Sequence, residues 1–470
     1  MVVTLVAPPV DFLSGVYGFR TRKRYRNQPP LGIGYVAAYL RQVGFAVHVL
    51  DAAAEDLSLA ATVDRVLATG PDVIGVTAIS YEAPVALELL RMLRARTAAR
   101  LVMGGAHATR YHDEVVAGGP SLDAIVVGEG EHATAELLQA WCAGASGEGL
   151  AGVRVRRPDA SFSPYVARPP VADLDLLPPP AYDLYPLHLY RPLPHRRKRL
   201  PSACMITSRG CSWGKCAYCE LSVAMRGNYR RHSPARVVDE MKSLQRLMGA
   251  RDIYFQDDIF LADPDWVLEL AGRLEREKLG IIWSCETHVN GIAEPVLRAM
   301  ARAGCWRVYI GFESGDQALL DRIHKGFTLA EARSVVRMTR EAGMEVVGFF
   351  MIGLPGETPE LARKTIDFSL SLGLDFAMYS LVVPHRDTEL YDLCQQDGTI
   401  VNLGNFHGKS ASFIPRGYRD AAEVEAMQRL AYRRFYLRPS YVRQCAGRIR
   451  TWEDARLYAE GALALFTFLD

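Results

Sequence analysis

The residues with the plainest chemical meaning are three cysteines, Cys211, Cys216 and Cys219, in the run Thr-Ser-Arg-Gly-Cys-Ser-Trp-Gly-Lys-Cys-Ala-Tyr-Cys-Glu from Thr207 to Glu220. Three thiolates this close in sequence can share one cluster of iron and sulfide, but they complete only three of its four iron sites. One iron stays open to a ligand that is not protein, and an open iron means chemistry rather than scaffolding. The gaps, four residues and then two, match neither the four-Cys ferredoxin runs nor the paired Cys or His knuckles of a structural zinc site. The competing reading is a group of incidental thiols; against it stand the flanking Arg209-Gly210 and the aromatic Tyr218 just before the third Cys. Cys285, at the end of a predicted strand, is the one alternative ligand.

A loop that holds such a cluster needs a framework, and from residue 202 to about 383 the chain supplies one. Strands are predicted over 205–207, 252–255, 281–284, 307–311, 346–351 and 376–383, with helical spacing between them, for example over 234–248 and 330–342. Each strand leads into a polar or Gly-rich loop. The first is the cysteine loop, followed by Gln256-Asp257-Asp258, Cys285-Glu286-Thr287-His288, Phe312-Glu313-Ser314-Gly315, Gly353-Leu354-Pro355-Gly356-Glu357 and Pro384-His385. Six strand–helix units predict a barrel or partial barrel with functional residues on the loops after the strands.

The N-terminal part has the same rhythm. Strands over 2–7, 46–50, 73–77, 100–103 and 124–127 alternate with helices over 31–43, 57–68, 83–95 and 131–141. That order predicts a doubly wound parallel sheet whose ligand sits beyond the carboxyl ends of the strands. The loops at those ends are Ile79-Ser80-Tyr81, Gly104-Gly105-Ala106-His107 and Gly128-Glu129-Gly130-Glu131. Paired glycines let backbone approach a bulky ligand, although an ordinary tight turn uses them too.

These patterns divide the chain into a Rossmann-like domain over 1–145, a linker over 146–200, a partial (β/α)6 barrel over 201–395 and a mainly helical C-terminal domain over 396–470. The linker is Pro-rich and basic, with Leu177-Pro178-Pro179-Pro180 and His195-Arg196-Arg197-Lys198-Arg199; a short, isolated basic run of this kind reads as a solvated connection rather than a nucleic-acid patch. The C-terminal helices, over 421–436 and 443–468, interleave Arg433, Arg434 and Arg438 with Tyr436 and Tyr441, as a solvated face or a lid for an anionic substrate. A formal charge of +2 over 470 residues suggests neither nucleic acid nor membrane as partner. The first residues read as a strand and not as a signal peptide, and no apolar stretch is long enough to span a bilayer, so a cytoplasmic protein with reduced thiols is expected.

The cysteine motif resembles that of the radical S-adenosylmethionine (SAM) superfamily, whose usual signature has three residues between the first two cysteines; here the gap is one longer. Downstream segments resemble that family in order. Tyr309-Ile310-Gly311-Phe312-Glu313-Ser314-Gly315 resembles the segment that contacts the ribose and methionine parts of SAM, and Gly353-Leu354-Pro355-Gly356-Glu357 the segment against which adenine lies. Asp257 and Asp258 occupy the place of the family's Gly-Gly-Glu segment, without its glycines. Residues 1–145, with Pro29-Pro30-Leu31-Gly32 opening the first helix, resemble the cobalamin-binding domain that precedes many radical SAM domains.

The resemblance implies a [4Fe-4S] cluster on Cys211, Cys216 and Cys219, and SAM contacts by Tyr218, Asp257, Asp258, Glu313, Ser314, Gly353 and Leu354. It also implies cobalamin contacts by Ser80, Tyr81, Gly104, Gly105, His107, Gly128 and Glu129. The Asp-x-His-x-x-G motif that supplies a histidine to cobalt is absent, so cobalamin without a protein histidine beneath the metal is expected. The chemistry implied is reductive cleavage of SAM to a 5'-deoxyadenosyl radical, fed by a donor such as flavodoxin or ferredoxin, and methylation of an unactivated carbon of a natural-product or lipid-like small molecule. A cyclase or ring-rearranging enzyme with the same cofactors and a non-catalytic corrinoid or cluster carrier are the alternatives.

Overall fold

Short runs rich in Val, Ile and Leu, bounded by Gly, Pro and Asp, are what strands buried on both faces of a parallel sheet require. The computed structural model, which describes residues 1–10, 28–118, 122–220, 228–403 and 410–469, folds these runs into two six-stranded sheets. One compact unit ends at Arg191 and another starts at Pro192.

The first unit contains β1 (Val2–Ala7), β2 (Ala46–Asp51), β3 (Val73–Thr77), β4 (Arg100–Gly104), β5 (Ala124–Val126) and β6 (Val153–Val155). Its helices are α1 (Leu31–Gln42), α2 (Leu59–Leu67), α3 (Ala83–Arg94), α4 (Gly105–Arg110), α5 (His112–Gly118) and α6 (Gly130–Cys142). The strand order is β2-β1-β3-β4-β5-β6, parallel except for β6. The order reverses at β1, as in a doubly wound sheet, and two apolar clusters cover the sheet. The short helices α4 and α5 follow a Gly-Gly pair that reads as loop, so His107 stands on a helix.

The stretch expected as a linker is not free up to Arg191. β6 pairs antiparallel with β5, and Ala181, Tyr185 and Tyr190 are core residues of the first unit. The Tyr190 hydroxyl donates to Asp51 Oδ2 at 2.7 Å and that of Tyr185 to the Pro30 carbonyl at 2.8 Å. Proline fixes an extended backbone but leaves the intervening Tyr and Leu side chains free to pack, so a Pro-rich composition does not mean a solvated segment.

The second unit is built on β7 (Ser202–Met205), then the short pair β8 (Ser208–Arg209) and β9 (Arg230–Arg231), then β10 (Asp252–Phe255), β11 (Ile282–Thr287), β12 (Cys305–Glu313), β13 (Glu345–Ile352) and β14 (Phe376–Leu381). Helices α7 (Pro234–Met248), α8 (Pro264–Glu277), α9 (Glu294–Arg302), α10 (Gln317–Arg322), α11 (Leu329–Glu341) and α12 (Pro359–Ser371) alternate with them. The order β14-β13-β12-β11-β10-β7 is sequential and parallel, with β7 and β14 as edges, which is the partial barrel the alternation predicts. Beyond it lie α13 (Glu389–Asp397), the antiparallel β15 (Gly398–Ile400) and β16 (Phe413–Pro415), and α14 (Ala421–Tyr436), α15 (Pro439–Ala446) and α16 (Trp452–Leu469). The helix expected over 443–468 is therefore two helices with a break between Ala446 and Trp452. No helix among the described residues is long and apolar enough to cross a membrane.

The basic run 195–199 is not a solvated connection either. The His195 carbonyl accepts from the Tyr309 hydroxyl at 2.6 Å and from the Arg307 guanidinium. Arg196 reaches Glu286 at 2.7 Å and the Tyr254 hydroxyl, and Arg197 forms a buried ion pair with Glu460 at 2.7 Å. The backbone amides of Lys198 and Arg199 donate to the buried carboxylate of Asp252. Charges that look solvated in sequence close the floor of the barrel.

Candidate active site

The cysteine loop leaves β7 at the carboxyl edge of the sheet and is bracketed by the antiparallel pair of β8 and β9. Gly210, at φ 84°, allows that bracket, because the Asn228 carbonyl lies 2.6 Å from where a Cβ would stand. Asp257, just past β10, orients the loop: its Oδ1 accepts from the Thr207 amide at 2.9 Å, the Thr207 hydroxyl at 3.0 Å and the Ser208 hydroxyl at 2.6 Å, as well as from the Ser208 amide. From the other side the Ala217 amide donates to the Ile323 carbonyl at 3.1 Å and the Trp213 indole N–H to that of His324 at 2.9 Å. The Trp213 ring stacks on His288 at 5.3 Å, a position open only because residue 326 is glycine.

The three loop cysteines are half-buried thiols that form no disulfide. Burial raises the Cys216 thiol to about 11, and the charges of Cys219 and Cys211 add to the rise while Lys325 opposes it. The Gly214 amide donates to Cys211 Sγ at 3.4 Å. Among the described residues no three His, Cys, Asp or Glu side chains converge on a single ion, and ligands of a cluster need not, since each thiolate takes its own iron. The donor set fits an iron–sulfur cluster with an open iron. Cys285 lies buried within β11, its thiol hydrogen-bonded to Cys305.

Next to the loop stands a buried charged group that the sequence only half disclosed. Glu313 closes β12 at φ 60° and accepts at Oε1 from the Tyr218 hydroxyl at 2.9 Å and from Lys325 Nζ at 3.2 Å; Lys325 also lies 3.2 Å from the Tyr218 oxygen. Gly311 makes room for the carboxylate. Sequence reasoning missed Lys325, whose signal was an isolated lysine between His324 and Gly326. The Ser314 hydroxyl serves the turn into α10, accepting from the Asp316 amide at 3.1 Å and lying 3.3 Å from the Thr365 hydroxyl.

Gly353 and Leu354 form a turn against this group. Leu354 packs with Ala217 of the cysteine loop, and Gly353, at φ 87°, donates its amide to Glu357 Oε1 at 2.6 Å. Glu357 is fully buried and also accepts from the Tyr418 hydroxyl at 2.7 Å, while its Oε2 has no partner among the described residues. Burial lifts its pKa from 4.5 to about 7, with the hydrogen bonds from Tyr418 and Gly353 opposing. A carboxyl whose folded pKa is raised binds its proton more tightly in the folded chain, so stability falls as pH rises from about 4.5 to about 7. Glu357→Gln is expected to match the parent below that window and to exceed it at pH 8 by up to ~3 kcal/mol. Thermal melts across pH check this, and a difference that does not change with pH would contradict it.

Asp258, next to Asp257, keeps its side chain exposed, yet loss of water on its protein side and then the charges of Asp257 and Glu286 raise its pKa to about 7; Asp257 is raised to about 6 by burial. Deeper in the barrel, Tyr254 donates to Glu286, and the Arg196 guanidinium lies over the rings of Tyr254 and Tyr309 at 4.8 and 5.3 Å. Arg196 and Tyr254 escaped the sequence reading because a basic linker and the apolar body of a strand carry no such signal, and Tyr309, quoted there in a segment resembling one that contacts SAM, spends its hydroxyl on the His195 carbonyl.

In the first unit, the carboxyl edge brings together Ser80, Gly104, Gly105, His107 and Gly128. His107 Nδ1 lies 3.3 Å from the Ser80 hydroxyl, and Ile79 beside it is 44% exposed. Gly105, at φ 90°, is required by the protein itself, since Thr77 and Ala78 fill the space of a side chain. Gly128, at φ 88°, has nothing within 4 Å of where a Cβ would stand, and Gly104 nothing closer than 3.9 Å. Glu129 accepts from the Val171 amide at 2.7 Å. Tyr81 is half-buried in the turn that leads into α3. An open glycine edge with an exposed apolar tip suits a broad planar ligand such as a corrin.

Residues 19–138 match the family model of the B12 binding domain, and residues 205–369 that of the Radical SAM superfamily. An uncharacterized methyltransferase of Pyrococcus horikoshii is 29% identical over 444 residues, 93% of this chain and 93% of its own length. An anaerobic magnesium-protoporphyrin IX monomethyl ester cyclase of Rubrivivax gelatinosus is 27% identical over 453 residues, 94% of this chain and 79% of its own. The fold is similar to that of the radical S-adenosylmethionine methyltransferase TsrM from Kitasatospora setae, solved with cobalamin and a [4Fe-4S] cluster bound. The TM-score is 0.70 at 20% identity, covering 93% of this chain and 89% of that one.

Proposed function

Because the chain belongs to the cobalamin-dependent radical SAM enzymes, with a [4Fe-4S] cluster, SAM and cobalamin as its cofactors, we propose that it moves a methyl group from SAM, by way of cobalamin, to an unactivated carbon of a natural-product or lipid-like small molecule. When bound, cluster and SAM supply a hydrogen-abstracting radical and cobalamin a transferable methyl group. The observation that carries the reading is the placement of three half-buried loop thiols beside the half-buried Tyr218 and the buried Glu313 and Lys325, at the carboxyl edge of an open barrel. Carrier proteins have no use for such a group.

The chain's own residues hold and exclude. Asp257 fixes the cysteine loop, so that its role toward SAM is through Oδ2 or through the loop itself. Asp258 and Glu313 present carboxylates to the cationic and hydroxyl-bearing parts of SAM, Tyr218 and the Gly353-Leu354 turn flank it, and Ser314 acts by position. Arg196, with Tyr254 and Glu286, closes the barrel floor against water. In the first unit Ser80, Tyr81, Gly104, Gly105, His107, Gly128 and Glu129 are assigned to cobalamin. A flavodoxin or ferredoxin supplies the electron, and the chain works in the cytoplasm.

A second reading, ring formation without methyl transfer, is favoured by the likeness to the Rubrivivax cyclase. Turnover with SAM labelled in its methyl group separates them. Methyl transfer is expected to yield one S-adenosylhomocysteine for each 5'-deoxyadenosine and to place label in the product. Deoxyadenosine alone, with an unlabelled product, would establish the second reading instead.

A further inference from the structure

A second cavity, of about 1010 Å³, lies in the second unit away from the cysteine loop. It opens at the amino ends of the barrel strands, where Trp306 and Arg307 begin β12, Glu345 begins β13 and Phe376 begins β14. The cysteine loop and its neighbours sit at the carboxyl ends. His195 lines the cavity, while Arg196, the next residue, pairs with Glu286 and Tyr254 in the barrel, so the floor of one space is the ceiling of the other.

Its walls are apolar. Trp306, Met344, Phe376, Tyr436 and Leu457 contribute, and the Tyr436 hydroxyl is already spent on the Ala377 carbonyl at 2.8 Å, leaving its ring to line the space. Two apolar side chains that line the cavity stay open to water, Leu437 at 52% and Val442 at 60% exposure.

The charge is unbalanced. Seven Lys and Arg side chains line the cavity against three carboxylates. Arg307 and Arg448 share Glu345, Arg448 also meets Asp375, and Arg251 meets Glu453 at 3.4 Å. Lys198 feels the charges of Glu345 and Asp454, both in the lining, without forming an ion pair with either, and lies over the Trp306 ring at 5.3 Å; the side chains of Arg199 and Arg450 form no ion pair among the described residues. Lys198 and Arg199 are half-buried. An excess of cations taken partly out of water is costly, and an anion seated between them offsets that cost. The volume is that of a site for a small organic molecule rather than for a lone ion.

We propose that this cavity binds an amphiphilic organic anion, its carboxylate or phosphate head held by Lys198, Arg199 and Arg450 and its apolar body lying against Trp306, Phe376 and Tyr436. This site is separate from the lumen in which the proposed methyl transfer occurs, and binding at it is read without turnover.

The full chain is titrated by calorimetry with decyl phosphate, decanoate and decyltrimethylammonium, each below its micelle concentration. Saturable one-to-one binding of at least one anion is expected, weakening as salt rises, with the cation at least tenfold weaker. Whichever head group binds more tightly identifies the anion the site prefers. In the doubly substituted K198Q/R199Q chain the anion affinity is expected to fall about tenfold or more. Should that variant not fold, Arg450→Gln, at the exposed edge, is expected to weaken binding several-fold. Equal binding of cation and anions, no saturable binding of either anion, or unchanged affinity in a folded variant would overturn the proposal.

Discussion

Replacing Cys211, Cys216 and Cys219 together by Ala is expected to abolish iron loading and, with it, all cleavage of SAM. Each iron of a cluster takes its own ligand, so no pair of thiolates replaces three. The other cysteines do not stand in. Cys204, Cys285, Cys305 and Cys394 are buried, and burial raises the thiols of Cys204, Cys285 and Cys394, which disfavours the thiolate a metal needs. The loop itself is held by backbone and side-chain bonds that do not involve sulfur, from Asp257, Ile323 and His324, so the variant is expected to keep its fold. Iron and sulfide analysis after anaerobic reconstitution, with electron paramagnetic resonance of the reduced protein, reads the outcome. A folded triple variant that retained a reducible four-iron signal would remove the cluster from this loop.

Why the cysteine loop was legible and its surroundings were not is a matter of range. Three cysteines within nine residues speak through local spacing, and the doubly wound sheet and the partial barrel speak through the alternation of strand and helix, so both could be read directly. The Lys325–Glu313–Tyr218 group joins residues 107 positions apart at its widest, and nothing near Lys325 announces its partners. Asp257 was read as a ligand contact because it occupies the place of the family's Gly-Gly-Glu segment; the structure uses one of its oxygens to orient the loop, a role decided by Thr207 and Ser208 across the sheet. Gly105 was read as room for a ligand, and the room is filled by Thr77 and Ala78. In each case the residue type was informative and the partner was not.

The largest error of reading concerned charge, and it carries the second strong expectation. Five basic or titratable residues in a row, His195-Arg196-Arg197-Lys198-Arg199, have the composition of a solvated segment, yet Arg197 is 5% exposed. Its Nη2 donates to Glu460 at 2.7 Å and its Nε to the Pro192 carbonyl at 2.9 Å, so one guanidinium ties the entry to the barrel to the last helix. Removing one member of a buried pair strands the other charge, which typically costs ~3 to 5 kcal/mol, whereas replacing both by apolar side chains of similar volume is often neutral. Arg456, 3.1 Å from the other oxygen of Glu460, softens the loss, so Arg197→Ala is expected near the lower end, ~3 kcal/mol. Denaturant unfolding of the second unit measures it, and Arg197→Met combined with Glu460→Leu is expected to recover most of the difference. A loss below ~1 kcal/mol for Arg197→Ala is what an exposed pair gives, and it would return the run to the solvated connection its composition suggests. The expected loss would instead make the run part of the barrel floor, because Arg197 and Arg196 are consecutive and the bond that buries one fixes the backbone from which the other reaches Glu286.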